Sequence, residues 1–242
     1  MDPRIPATPT SQNLMGRVLR WPLSLIPHEA EVRVLRGPLR GKKWVAGAAG
    51  HGCWLGAYES DRLRSFADAI SPGATAYDVG ANVGIYALLA SIRVGTSGKV
   101  YAFEPVERNL QYLRRHMKLN EVQNCCVLKA AVSNTEGSRR FSSASWDSSM
   151  GRLSPDGEIE VPSFTLDGCV YGEKRFSPPN VIKIDVEGAE LEVLEGADRA
   201  ITEFHPVIFV EVHGVQQHAT CRAFLAAKGY QIEEGYGRLT AT

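Results

Sequence analysis

The chain has 242 residues, 44% of them hydrophobic and 22% charged, enough for one large globular domain or one domain with small additions. Lys plus Arg equals Asp plus Glu at 27 each, so no overall field draws the protein to nucleic acid or anionic lipid. The cysteines, Cys53, Cys125, Cys126, Cys169 and Cys221, show neither zinc-ligand nor C-x-x-C spacing and read as reduced thiols in a cytoplasmic setting.

Residues 1–58 read as an N-terminal extension. Its start lacks the apolar stretch of a secretory signal, and no run approaches the roughly 18 apolar residues of a membrane span. Residues 13–26 mix Leu, Ile and Trp with two arginines, a stretch suited to peripheral membrane contact, to a partner, or to packing on its own domain. "AEVRVLRGPLRGKKWV" suggests a small antiparallel pair turning at Gly37-Pro38.

From residue 59 onward strands and helices alternate. "ESDRLRSFADAI" sets Leu63, Phe66, Ala67 and Ile70 on one face of a helix that Pro72-Gly73 stops. Five apolar runs follow, at 74–80, 99–105, 125–132, 180–186 and 205–212, with little of the alternation of half-exposed strands. Between them lie helical patterns, including "PVERNLQYLRRHMKLN" with Leu110, Leu113 and Met117, and "GAELEVLEGADRAI", read as one helix. The order predicts an α/β fold: a doubly wound, mostly parallel, Rossmann-like sheet with helices on both faces over 59–242. Residues of about 133–180, rich in Ser, Gly and Pro, predict a β-rich insertion with a hairpin and a short helix. Little chain follows residue 230, so the final antiparallel edge is expected to be short.

The strand endings carry the chemistry. They supply Asp78, Glu104, Asp185 and Glu211, with His213 just beyond, all on the rim where such sheets bind ligands. In "YDVGANVG" (77–84), Gly80 allows a tight turn and Gly84 a close start for the next helix. Asp78 is an acid where a dinucleotide fold wants glycine. Glu104 ends the second strand 20 residues after Gly84 (104 − 84), where an acid accepts hydrogen bonds from both ribose hydroxyls. Two such acids disfavour a diphosphate and favour a cationic amine or sulfonium. The rival reading makes Asp78 a helix cap.

The ordered set "DVGANVG", "VYAFEPVERN", "LKAAVSNTEG", "VIKIDVEGAELEVLEGA" and "HPVIFVEVHG" resembles the FkbM family of S-adenosylmethionine-dependent methyltransferases, over roughly residues 37–230. The resemblance implies a class I methyltransferase sheet with Asp78, Gly80, Asn82 and Gly84 around the methionine end of the cofactor. It implies that Glu104, in the turn with Pro105, holds the ribose, that Ala131 and Val132 flank the adenine, and that Asn109 orders the turn or the ribose pocket. Asp185 belongs to both the cofactor site and the reacting centre.

A hydroxyl acceptor must lose a proton, so either a base or a metal is expected. His213 or Asp185 is the candidate base, with Glu211 beside them. Alternatively, Asp185, Glu187, Glu211 and His213 include ligands of Mg²⁺ or Mn²⁺. In a third reading Glu187 and Glu190 cap a helix and His213 holds a loop. Trp44, Trp54 and Tyr58, with Trp146 and Met150 of the insertion, are candidates to wall the acceptor pocket, whereas His51, His116, His205 and His218 read as surface or loop residues. The expected partner is a small-molecule acceptor, polyketide or other natural product, or a glycan. Methylation of nitrogen or nucleic acid, and a non-catalytic cofactor-binding role, are the alternatives; oligomeric state is left open.

Overall fold

The computed structural model describes residues 23, 25–143, 151–153, 156–173, 175–235 and 237–242. Most of the stretch 13–26, together with Trp146 and Met150, lies outside them. In chain order, strands β1 (Glu31–Arg33) and β2 (Lys43–Val45) form the antiparallel pair expected around Gly37, which has φ +78°. Helices α1 (Gly52–Leu55) and α2 (Ser60–Asp68) follow, then β3 (Thr75–Val79), α3 (Ile85–Val94), β4 (Lys99–Phe103) and α4 (Glu107–Leu119). Next come β5 (Cys125–Leu128), β6 (Ala131–Val132), β7 (Gly137–Ser143), β8 (Gly151–Leu153), β9 (Ile159–Phe164) and α5 (Leu166–Tyr171). The chain continues through β10 (Val181–Asp185), α6 (Glu190–Glu195), α7 (Asp198–Phe204), β11 (Val207–Glu211), α8 (Val215–Ala227), β12 (Ile232–Gly235) and β13 (Arg238–Ala241).

The main sheet has the order β12-β13-β11-β10-β3-β4-β5, with β13 antiparallel to both neighbours and the other five strands parallel. Its strands send alternate side chains to two cores. Ala76, Val100, Ala102, Val181 and Phe209 pack on one face, with Phe66, Leu88 and Leu113 of α2, α3 and α4. Tyr77, Phe103, Ile182, Ile184 and Val210 pack on the other, with Leu194, Ile201 and Leu225 of α6, α7 and α8. Strand order reverses between β3 and β10, and the crevice at such a switch point is where doubly wound sheets bind ligands.

Two expectations need correction. The run 125–132 is two strands: β5 is the partly exposed edge of the main sheet, and after Lys129 the chain leaves it so that β6 pairs with β9. The insertion is thus a second sheet, β6-β9-β7-β8, which includes the expected hairpin of β7 and β9. The single helix expected after β10 breaks into α6 and α7 around Gly196, where a Cβ would lie 2.1 Å from the Ser133 carbonyl oxygen. Val34, Leu39, Trp44 and Val45 of the extension are buried in the same core as α3 and α4. The final antiparallel pair, β12 and β13, is present with four residues in each strand. Among the described residues no helix is long and apolar enough to cross a membrane.

Candidate active site

The loop joining β3 to α3 fills the switch point. Gly80 has φ +77°, and a Cβ there would lie 1.9 Å from the backbone oxygen of Asp185 at the end of β10. Gly84 has φ +93°, and a Cβ there would meet Leu113 Cδ1 of α4 at 2.3 Å. Asn82 adopts φ +50°, a region that Asn tolerates better than most residues. The loop's N–H groups are tied inward: Gly80 and Ala81 donate to the Phe103 carbonyl at 3.0 and 2.9 Å, and Asn82 donates to Glu104 Oε2 at 2.8 Å. Val83 N–H donates to Asn82 Oδ1 at 2.8 Å. Gly80→Ala combines a forbidden φ with a backbone collision and is expected to cost about 3 kcal/mol of stability. Urea unfolding measures this; a loss below about 1 kcal/mol would show that the loop and β10 tolerate separation.

Two cavities flank this loop. The larger, about 270 Å³, is walled by Gly80, Asn82, Glu104 and Pro105 on one side and by Asp185, Glu187, Glu211 and His213 on the other. Between them, Val79, Val106, Ala131 and Val132 give an apolar floor, and Tyr58 stands at the edge. The second, about 250 Å³, shares Tyr58, Gly80, Asn82 and Asp185 and adds Gly84, Cys53 and Tyr86. The predicted residues on the two sides of the cleft therefore meet in the first cavity, except Gly84, which lines only the second, and two residues that line neither.

Asp78 and Asn109 line neither cavity. Asp78 is fully buried below the loop, close to the Ala87 N–H in the first turn of α3, which favours its charged form. Burial pushes its carboxyl up to about 7, with Lys183 opposing. Asn109, also buried, donates from Nδ2 to Glu104 Oε1 at 3.3 Å. Glu104 Oε1 further accepts the Val106 N–H at 2.9 Å. Burial raises the Glu104 pKa, and these N–H donors hold it back. The carboxylate is fixed in place, lines the cavity and keeps one lone pair of Oε2 unused by these donors.

On the opposite wall the acids have partners from within the chain. Asp185 Oδ2 lies 3.0 Å from the buried Lys183 Nζ, which sits 4.7 Å over the Tyr86 ring. Glu211 pairs with Arg238 at 3.2 Å and lies 4.0 Å from Arg62. Arg238 also pairs with Glu59, whose other oxygen accepts the Tyr86 hydroxyl at 2.6 Å. Among the described residues no group of three or more His, Cys, Asp and Glu side chains is arranged to hold a metal ion. The expected cation set is thus not assembled among the described residues, and Asp185 and Glu211 pair instead with Lys183 and with Arg238 and Arg62. Among the described residues of the expected aromatic wall only Tyr58 lines the cavities. Trp44 and Trp54 are buried in packing.

His213 is held by two hydrogen bonds at one ring nitrogen. Its Nδ1 lies 2.8 Å from Glu190 Oε1 and 3.1 Å from the Val186 carbonyl oxygen. A carbonyl only accepts, so Nδ1 carries the hydrogen and Nε2 of the neutral ring keeps its lone pair. Glu190, fully buried, also accepts the N–H groups of His213 and Gly188 at 3.2 and 3.1 Å. Burial pulls the His213 pKa down, but the Glu190 hydrogen bond and the charges of Glu187, Glu190 and Asp185 outweigh it, and the net shift is upward. Glu187 Oε2 lies 3.7 Å from His213 Nε2; burial raises its own pKa, and His213 counteracts this.

Residues 78–232 match the Methyltransferase FkbM domain. Hexuronic acid methyltransferase AglP of Haloferax volcanii is 30% identical over 156 residues, which span 64% of this chain and 62% of that protein. The 31-O-demethyl-FK506 methyltransferase FkbM of Streptomyces tacrolimicus is 26% identical over 182 residues, 60% of this chain and 68% of its own length. The crystal structure of a methyltransferase FkbM from Methylobacillus flagellatus superposes with a TM-score of 0.52 at 19% identity, over 80% of this chain and 56% of that one. The switch-point loop, the β4 acid and the rim after β10 and β11 all fall inside the matched span, and the chain belongs to the FkbM methyltransferase family.

Proposed function

We propose that this protein is an S-adenosylmethionine-dependent O-methyltransferase whose acceptor is a hydroxyl of a sugar, a glycan or a polyketide-like small molecule. What supports this most is one cavity holding both a fixed, cavity-facing carboxylate, Glu104, and a histidine with a free Nε2 lone pair, His213. The donor set fits the cofactor. Glu104 offers the remaining lone pair of Oε2 to a ribose hydroxyl, Val79, Ala131 and Val132 offer an apolar bed for adenine, and the acids around Tyr58 suit a ligand with cationic groups. No Lys or Arg is among the described residues lining either cavity, which disfavours a pyrophosphate.

When bound, S-adenosylmethionine supplies an electrophilic methyl group for in-line displacement. Gly80 and Asn82 keep the backbone close to the ligand, and much of the rate comes from that positioning. Nε2 of His213 takes the acceptor's hydroxyl proton, while Glu190 holds the ring and stabilises the imidazolium that forms. Lys183 fixes Asp185 so that its other oxygen can orient the acceptor, while Arg238 and Arg62 hold Glu211 in the cavity wall. The acceptor classes are supported by the two named relatives, one a hexuronic acid methyltransferase and one a 31-O-demethyl-FK506 methyltransferase.

Calorimetric titration with S-adenosylhomocysteine, with NADH in parallel, tests the cofactor. Micromolar binding of the former alone is expected. A mass-spectrometric screen for a gain of one methyl group, over alcohols, glycosides, uronates, amines and RNA, then tests the acceptor. NADH binding would overturn the cofactor reading, and methylation confined to amines or RNA would overturn the O-methyl reading.

A further inference from the structure

His116, on α4, is buried and makes two hydrogen bonds that the proposed chemistry does not use. Its Nδ1 lies 2.8 Å from the carbonyl oxygen of Val83 in the loop between β3 and α3. Its Nε2 accepts the N–H of Val45, on β2, at 3.0 Å. The Val83 oxygen can only accept, so Nδ1 carries the hydrogen and only the neutral ring satisfies both bonds. Trp44, next to Val45 on β2, stacks on the imidazole with centroids 3.7 Å apart and planes 13° apart. Burial pulls the His116 pKa down to about 4, so the ring stays neutral near pH 7.

The position of this ring matters because of what the loop does. Asn82, one residue before Val83, lines both cavities, and its backbone is already held by Glu104. Val83's N–H is held by Asn82 itself. The Val83 carbonyl is where a side chain from α4 takes hold of the loop, and the same side chain is held by the N-terminal pair β1–β2. That pair leads into residues 49–58, which supply Ala49, Gly50, Gly52, Cys53 and Tyr58 to the second cavity. The N-terminal segment and the glycine loop are therefore two walls of one site, joined through one imidazole.

We propose that His116 is a positioning residue for cofactor binding, which sets the loop around Asn82 against the N-terminal β pair. This rests on the cofactor reading above. Two isosteric changes separate its bonds. In His116→Asn the amide Nδ2 falls where Nδ1 lies and keeps the bond to Val83, while the bond from Val45 is lost. In His116→Gln the longer amide reaches Val45 and loses Val83.

Calorimetry with S-adenosylhomocysteine on wild type and both variants, beside their melting temperatures, is the test. His116→Asn is expected to bind within about twofold of wild type, and His116→Gln about five- to tenfold more weakly, the scale of one lost buried hydrogen bond. Equal binding by His116→Gln, or weakening of both variants in step with their melting temperatures, would overturn the proposal. A measurement on the wild type stands even if a variant fails to fold. Hydrogen exchange of the Val45 amide, which borders neither cavity, is expected to slow when S-adenosylhomocysteine binds, and an unchanged rate would overturn the coupling. Wild type that binds NADH and not S-adenosylhomocysteine would remove the cofactor reading itself, a failure distinct from either of these.

Discussion

Glu104→Gln is expected to weaken S-adenosylhomocysteine binding by about 100-fold or more, near 2.7 kcal/mol, although it changes one atom. The side chain is enclosed by donors: Asn82 N–H on Oε2, Val106 N–H and Asn109 Nδ2 on Oε1. A glutamine amide must turn its NH₂ towards one of these sets, placing donor against donor in a buried site. It also loses the charge that strengthens acceptance from ribose hydroxyls, a term of about 1.5–3 kcal/mol for each charged hydrogen bond. Calorimetry gives the affinity, and the melting temperature of the unliganded protein shows how much is global. Binding within about threefold of wild type would mean that the ribose is held elsewhere.

His213→Ala is expected to lower kcat by about 10²–10⁴-fold while leaving S-adenosylhomocysteine affinity within a few-fold, the span typical of a lost general base. The pH profile supplies the sign. Nε2 accepts a proton only from the neutral ring, and the His213 pKa lies above the ordinary histidine value of 6.5. Activity should therefore fall on the acid side, with a midpoint above that value, and level off as the ring deprotonates at higher pH. Glu190→Gln removes the carboxylate that holds the proton on Nδ1, so the acid limb should move to lower pH. A pH profile that is flat through this range, with unchanged kcat in His213→Ala, would assign the proton transfer to another group.

How far the sequence could be read follows from what each residue's neighbours are. The strands β3, β4, β10 and β11 were legible because they lie inside the sheet and are buried on both faces, and an apolar run reports that directly. The run 125–132 misled because its apolar residues serve two sheets. Hydropathy does not show a change of hydrogen-bonding partner after Lys129. The rim acids were legible as strand endings, but their partners were not. Lys183 lies two residues before Asp185 on the same face, a spacing that hinted at the pair, whereas Arg238 reaches Glu59 and Glu211 through the order of strands alone. An acid before a glycine loop has two uses, helix cap and ligand contact, and the sequence shows neither the burial of Asp78 nor its distance from the cavities. His116 had a readable signal. It lies three residues after Leu113 and seven after Asn109, on the buried stripe of α4.

The clamp of Arg238 on Glu59 also sets an order of assembly. Glu59 leaves the ribosome 179 residues ahead of its partner. Until the hairpin of β12 and β13 emerges, the rim acid Glu211 lacks the strand that pairs with β11 and the arginine that neutralises it. The glycine loop, Glu104 and His116 can all be in place well before then. Docking of the β12–β13 hairpin therefore completes the cavity wall that carries Glu211, after the loop and Glu104 of the opposite wall have been synthesised.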